Sequence, residues 1–140
     1  EQREYGSSSR DTIRNLTMVI FNKTKFLNKY PEDNNQISLL VGQFLELSYS
    51  SFLQLQTVQE YAVKLSVTPK HLTEAVKEQT GLTALETLHQ LRVGYAKGLL
   101  RQTNLSVKQI AFELGFENPE YFNVFFKKLT GKTPNQLRHN

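Results

Sequence analysis

Apolar positions recur along this chain with helical spacing. In the segment PEYFNVFFKKLT, Phe122, Phe126 and Leu129 fall at i, i+4 and i+7, which aligns them on one buried face of a helix beginning at Pro119. Ile37, Leu40, Val41 and Phe44 repeat that spacing and predict a helix over ISLLVGQFLELSYSSF. Upstream, Ile13, Leu16, Ile20 and Leu27 share another face, with Val19 and Phe26 beside it, until the run Pro31, Glu32, Asp33, Asn34, Asn35 breaks the pattern. No stretch sustains period-two alternation, so the expected fold class is all-α.

Polar punctuation divides the second half into short helices. Thr57 and Glu60, Thr83 and Glu86, Ser106 and Gln109, and Thr133 and Gln136 each have the spacing at which a hydroxyl and the side chain three residues on satisfy each other's orphan amide donors at a helix start. Thr68-Pro69, Asn118-Pro119 and Thr133-Pro134 add a capping side chain followed by a proline whose missing N–H costs nothing in the first turn. Gly81, Gly115 and Gly131 stand where helices stop.

These signals come twice. Val58, Ala62 and Leu65 recur 49 residues later as Val107, Ala111 and Leu114. After one inserted residue, Pro69, Leu72, Val76, Lys77, Thr80 and Gly81 recur 50 residues later as Pro119, Phe122, Phe126, Lys127, Thr130 and Gly131. Each copy reads as helix, tight turn, helix, over residues 57–81 and 106–131. The small Ala62 and Ala111 let the second helix cross closely over the first, as a helix-turn-helix requires. The aromatic crowding of the second copy is expected to be core: Phe112, Phe116, Phe122 and Phe126 are assigned to packing, with no base-stacking role.

Charge sharpens the picture. Residues 1–56 carry six basic and six acidic groups, whereas residues 57–140 carry eleven and seven, so the whole net charge of +4 lies in the repeated part. A modest basic bias suits a nucleic-acid binder. With no cysteine, disulfides, thiol catalysis and cysteine-ligated zinc are excluded. No apolar run reaches the length of a membrane span, and EQREYGSSSR lacks a signal-peptide layout, so the expected location is cytoplasmic. A start at Glu1 rather than Met is expected of a fragment of something longer.

The segment LSVKQIAFELGFENPEYFNVFFKKLTGKTPNQLR resembles the signature of AraC-type transcriptional regulators, the AraC/XylS family, through Ile110-Ala111, Gly115-Phe116, Tyr121-Phe122, Phe126-Lys127, Gly131, Thr133-Pro134 and Arg138. Ala62, Leu72, Lys77, Thr80-Gly81, Leu91-Arg92, Ala96 and Leu99-Leu100 extend the resemblance over residues 57–138. It implies seven helices, two helix-turn-helix units joined by a long helix, and binding of double-stranded DNA. The joining helix, Ala84 to about Gln102, would be about 28 Å long, which suits two reading helices in successive major grooves. Inside it, Gly94 and Gly98 each cost about 1 kcal/mol relative to alanine, and close backbone approach and simple tolerance both stay open.

By the same resemblance, bases are read by Lys70, Thr73 and Glu74 in the first unit and by Glu120, Tyr121, Asn123 and Val124 in the second. Glutamate accepts from cytosine N4, asparagine bonds an adenine edge, and valine offers only apolar contact, as to a thymine methyl. Family members often carry Arg, Gln or Lys where Glu74 and Val124 stand here, so the second unit is expected to contribute less base-specific bonding. Thr68, His71, Lys77, Asn118, Lys127, Lys128 and Lys132 are assigned to phosphates, the bland reading of the lysines being a solvated face.

Residues 1–34 are expected to be a linker and the tail of a preceding sensor domain, and residues 35–140 the DNA-binding domain. Homodimerisation through residues 11–30 and packing of that segment onto its own bundle both stay open. RNA polymerase is the expected partner besides DNA, with activation as the expected outcome and no membrane contact. His71, His89 and His139 lack metalloprotease spacing, and no phosphate loop or nucleophile elbow occurs, so no enzyme, metal or cofactor is expected. The rival reading is a helical protein-interaction module that has lost DNA affinity, suggested by Glu74, Glu120 and Val124.

Overall fold

The computed structural model describes residues 35–139; the apolar segment at residues 11–30 and the 1–34 linker lie outside them. Seven helices, and no strand, occur among the described residues: α1 (Asn35–Ser51), α2 (Val58–Lys64), α3 (Pro69–Thr80), α4 (Ala84–Gln102), α5 (Val107–Glu113), α6 (Pro119–Thr130) and α7 (Pro134–His139). They divide between two compact units, residues 35–91 and 92–139, with α4 contributing to both.

Every helix start read from the sequence forms. Thr57 Oγ1 accepts from the Glu60 N–H at 3.3 Å while the Thr57 N–H donates to the Glu60 carboxylate at 2.7 Å. Thr83 with Glu86, Ser106 with Gln109, and Thr133 with Gln136 make the same reciprocal pair. Gly81 and Gly131 close α3 and α6 at φ 80° and 78°, where an L side chain is strained.

In the first unit Leu40, Val41 and Phe44 of α1 bury against Tyr61 and Ala62 of α2 and Leu72, Ala75 and Val76 of α3, with Ala84 and Leu88 of α4 completing the cluster. Phe44 meets the Tyr61 ring edge-on, centroids 5.6 Å apart, and the Tyr61 hydroxyl donates to the Leu55 carbonyl at 3.3 Å. In the second unit Tyr95, Ala96, Leu99 and Leu100 of α4, Ile110, Ala111 and Leu114, and Phe122 and Phe126 are buried. Ala62 and Ala111 are fully enclosed, as close crossing of each helix pair demands.

Two core assignments need correction. Phe112 is 48% exposed, because at about 100° per residue it lies on the side of α5 opposite the face that Ile110, Ala111 and Leu114 bury. Leu129, in line with Phe122 and Phe126, is nevertheless 46% exposed, since it sits in the last turn of α6, just before the chain leaves the helix at Gly131. Phe116 is half-buried and lies against Phe122 and Phe125, with centroids 5.5 and 5.2 Å away. A methyl built at Gly94 meets no atom within 4 Å, so tolerance rather than close approach explains that glycine.

Candidate nucleic-acid interface

The faces that α3 and α6 leave uncovered follow from their buried stripes. A helix turns about 100° per residue, so the residue midway between two buried positions four apart points about 180° away from them. On α3 the buried pair is Leu72 and Val76, and the midway residue is Glu74. On α6 the pair is Phe122 and Phe126, and the midway residue is Val124. Glu74 and Val124 therefore hold equivalent central positions, and both are exposed.

Around Glu74 stand Lys70, His71 and Lys77, all exposed, with Thr73 half-buried at the margin. The Lys70 ammonium lies 4.0 Å from a Glu74 carboxylate oxygen, a solvated i, i+4 pair worth a few tenths of a kcal/mol at most. Thr68 Oγ1 caps α3 by accepting from the His71 N–H at 3.1 Å. Around Val124 stand Glu120, Tyr121, Lys127 and Lys128, all exposed, with Asn123 half-buried. Asn118 Oδ1 caps α6 by accepting from the Glu120 N–H at 2.8 Å. Lys132 is exposed in the loop beyond.

Thus most sequence-derived candidates on each reading helix share its outward face; Thr73 and Asn123 stand half-buried at its margin, the capping Thr68 and Asn118 at the starts, and Lys132 beyond the end. With their side-chain oxygens occupied as caps, Thr68 and Asn118 set the first turn of each reading helix as well as standing near its open amides. Among the described residues no group of three metal-ligating side chains occurs, and no helix is long and apolar enough to cross a membrane.

Several residues that fix these faces carried no assigned role in the sequence. The Thr80 hydroxyl donates to the Val76 carbonyl at 2.8 Å and accepts from the Leu82 N–H at 3.2 Å, stapling the exit of α3. Thr130 repeats the device, donating to Phe126 at 2.7 Å and accepting from the Lys132 N–H at 3.3 Å, so the backbone that carries Lys132 is held. Arg92 is buried, and its Nη2 donates to the Leu114 carbonyl at the end of α5. Its guanidinium also lies 5.6 Å from the centroid of Phe116, which packs on Phe122 and Phe125 at the base of α6. Arg138 Nε donates to the Leu100 carbonyl at 3.1 Å. A cation flanked by Leu91 and Val93 within a helix was the available signal for Arg92.

Two helix-turn-helix pairs, each with a capped, stapled second helix whose outward face carries polar and basic side chains, define a nucleic-acid-binding class of fold. Residues 61–140 match the family described as a helix-turn-helix domain. The HTH-type transcriptional activator RhaR of Escherichia coli O139:H28 is 37% identical across 99% of this chain, and that of Enterobacter sp. (strain 638) is 31% identical across 79%. The chain spans 51% and 40% of the lengths of these two relatives. Among solved structures, the C-terminal domain of AraT, a response regulator from Geobacillus stearothermophilus, superposes with a TM-score of 0.70 at 30% identity, covering 74% of this chain and 87% of that one. The DNA-binding domain of AdpA, solved in complex with a target DNA, shares the fold at a TM-score of 0.62 and 23% identity, covering 71% and 89%. The chain belongs to the AraC/XylS family of DNA-binding transcription regulators.

Proposed function

We propose that this chain is the DNA-reading part of a transcription activator, binding double-stranded DNA sequence-specifically with α3 and α6 in successive major grooves. The observation that carries this reading is that each reading helix has an exposed outward face of its own, flanked by lysines. Lys70, Thr73 and Glu74 read bases in one unit, and Glu120, Tyr121, Asn123 and Val124 in the other. His71, Lys77, Lys127, Lys128 and Lys132, with the helix starts capped by Thr68 and Asn118, hold phosphates, which position the protein without carrying sequence information. Residues 35–140 form the DNA-binding domain in this reading, and residues 1–34 connect it to a sensor. The protein acts in the cytoplasm with RNA polymerase as its partner, and residues 11–30 are the segment to test for homodimerisation.

The double variant Lys127→Glu, Lys128→Glu tests the phosphate half of this reading. Binding to all duplexes should weaken alike, and the fall of log affinity with log salt should become shallower by roughly 1 to 2. Unchanged specific and nonspecific affinity would reduce these lysines to a solvated face. Salt-independent affinity of the parent chain would favour the interaction-module reading, to which the exposed, uncharged Val124 at the centre of α6 is suited.

A further inference from the structure

Val124 is 68% exposed, and Tyr121, one turn before it on the same face, is 67% exposed. An apolar residue so open is unremarkable alone. Its position is not, because Val124 lies directly opposite the buried Phe122 and Phe126, where the corresponding residue of the first unit is a carboxylate, Glu74. Valine has no donor or acceptor to offer a base. Among the four bases, the major-groove edges of guanine, cytosine and adenine present donors and acceptors, and thymine alone adds a methyl group.

We propose that the second unit reads thymine through its C5-methyl group, with Val124 as the contact residue and Tyr121 as the flanking apolar wall; this rests on the DNA-reading function above. Charge complementarity supports DNA as the occupant of this face, since Lys127 and Lys128 border it and the stapled loop carries Lys132 beyond its end. The neighbouring acceptor fits the same base pair. Glu120 lies one turn from Val124, and a carboxylate takes only donors, such as the N6 amino group of an adenine. Polar reading centred on the Lys70–Glu74 pair is then the property of the first unit, and methyl reading that of the second.

The whole chain is used to select a preferred duplex from a randomised pool, and each thymine of that duplex is replaced singly by deoxyuridine, which removes only the methyl. Competition at fixed salt should show at least one replacement costing about fourfold in affinity, the worth of one buried methyl-sized group. That thymine should lie in the half of the site whose base preference Glu74→Ala leaves intact, and its uracil penalty should vanish in Val124→Ala. The inference is overturned if selective binding persists and no uracil replacement matters, or if the penalty is undiminished in Val124→Ala. The uracil series on the unaltered chain needs no variant, so it stays decisive even where a substitution fails to fold. Equal affinity for every duplex would sink the DNA-reading function as well, and so separates the two failures.

Discussion

Ser66 and Gly115 occupy the same place in the turns of the two helix-turn-helix units, and both adopt left-handed backbone, at φ 58° and 84°. One unit meets the demand with a residue built for it, and the other with a serine that is strained there by about 1 kcal/mol or more. The contrast extends to the cores. Leu72, Ala75 and Val76 line the inner side of α3, whereas Phe122, Phe125 and Phe126 take those places on α6. The helix starts differ in the same manner, with Glu60 and Glu86 as the returning side chains in the first unit and Gln109 and Gln136 in the second. What the units share is what the backbone requires: Ala62 and Ala111 at the crossing, Thr80 and Thr130 at the exit, Gly81 and Gly131 at the stop. Between those fixed points, the two units differ in chemistry.

The largest test of this contrast is in the cores. Phe126→Ala should cost about 3 to 5 kcal/mol, and Val76→Ala about 2 kcal/mol, because a fully enclosed ring leaves the larger cavity. Chemical denaturation with residue-resolved amide exchange reads both size and place, and the loss should concentrate in the altered unit. A folded Phe126→Ala with altered base preference would instead make Phe126 a reading residue.

The turns come next. Gly115→Ala should destabilise the second unit by about 1 to 2 kcal/mol, and Ser66→Gly should stabilise the first by roughly 0.5 kcal/mol, strain relief being offset in part by the greater entropy of glycine in the unfolded chain. Thermal melts of the two variants decide it. Opposite signs are expected at two positions that the repeat makes equivalent, and equal signs would mean that the Ser66 backbone is not strained.

The smallest effect is one of pH. Amide hydrogen bonds from Thr57 and Gln56 hold the Glu60 carboxyl below its ordinary value of 4.5, and the Thr83 amide does the same for Glu86. Both carboxylates bind protons more weakly in the folded chain, so their contribution is present above about pH 4.5 and is lost as pH falls through the lower folded values. Gln109 and Gln136 do not titrate. Amide exchange through an acid titration should therefore show the starts of α2 and α4 weakening before those of α5 and α7, and Glu60→Gln with Glu86→Gln should remove the difference.

What was legible in the sequence was what is decided locally. Helix starts, the left-handed stops and the full extent of α4, from Ala84 to Gln102, depend on residues a few positions apart, and each formed as read. The repeat also placed Glu74 and Val124 on outward faces, because period and register alone decide which way a helical residue points. For Phe112, aromatic character points to the core while register points outward, opposite Ile110, Ala111 and Leu114, and register prevails. Leu129 had the right register, but how far a neighbouring element extends along a helix is a tertiary fact. Its counterpart Gln79 receives a partner from α1, donating to Ser38 Oγ at 3.0 Å across 41 residues, and no local pattern announces such a bond. Arg92 was hidden for the same reason, since its acceptor on Leu114 lies 22 residues away.

The four reciprocal helix starts have a consequence for the denatured chain. Each closes within four residues, so nothing in its geometry waits for the core, and the unfolded chain is free to visit the same capped turns. A capping bond that is partly made before folding is counted on both sides of the equilibrium. Deleting one then lowers the native and denatured ensembles' helix content together, and the measured stability changes by less than the number of broken hydrogen bonds implies. Besides their part in native stability, the caps thus mark where each helix begins while the phenylalanines and leucines are still in water.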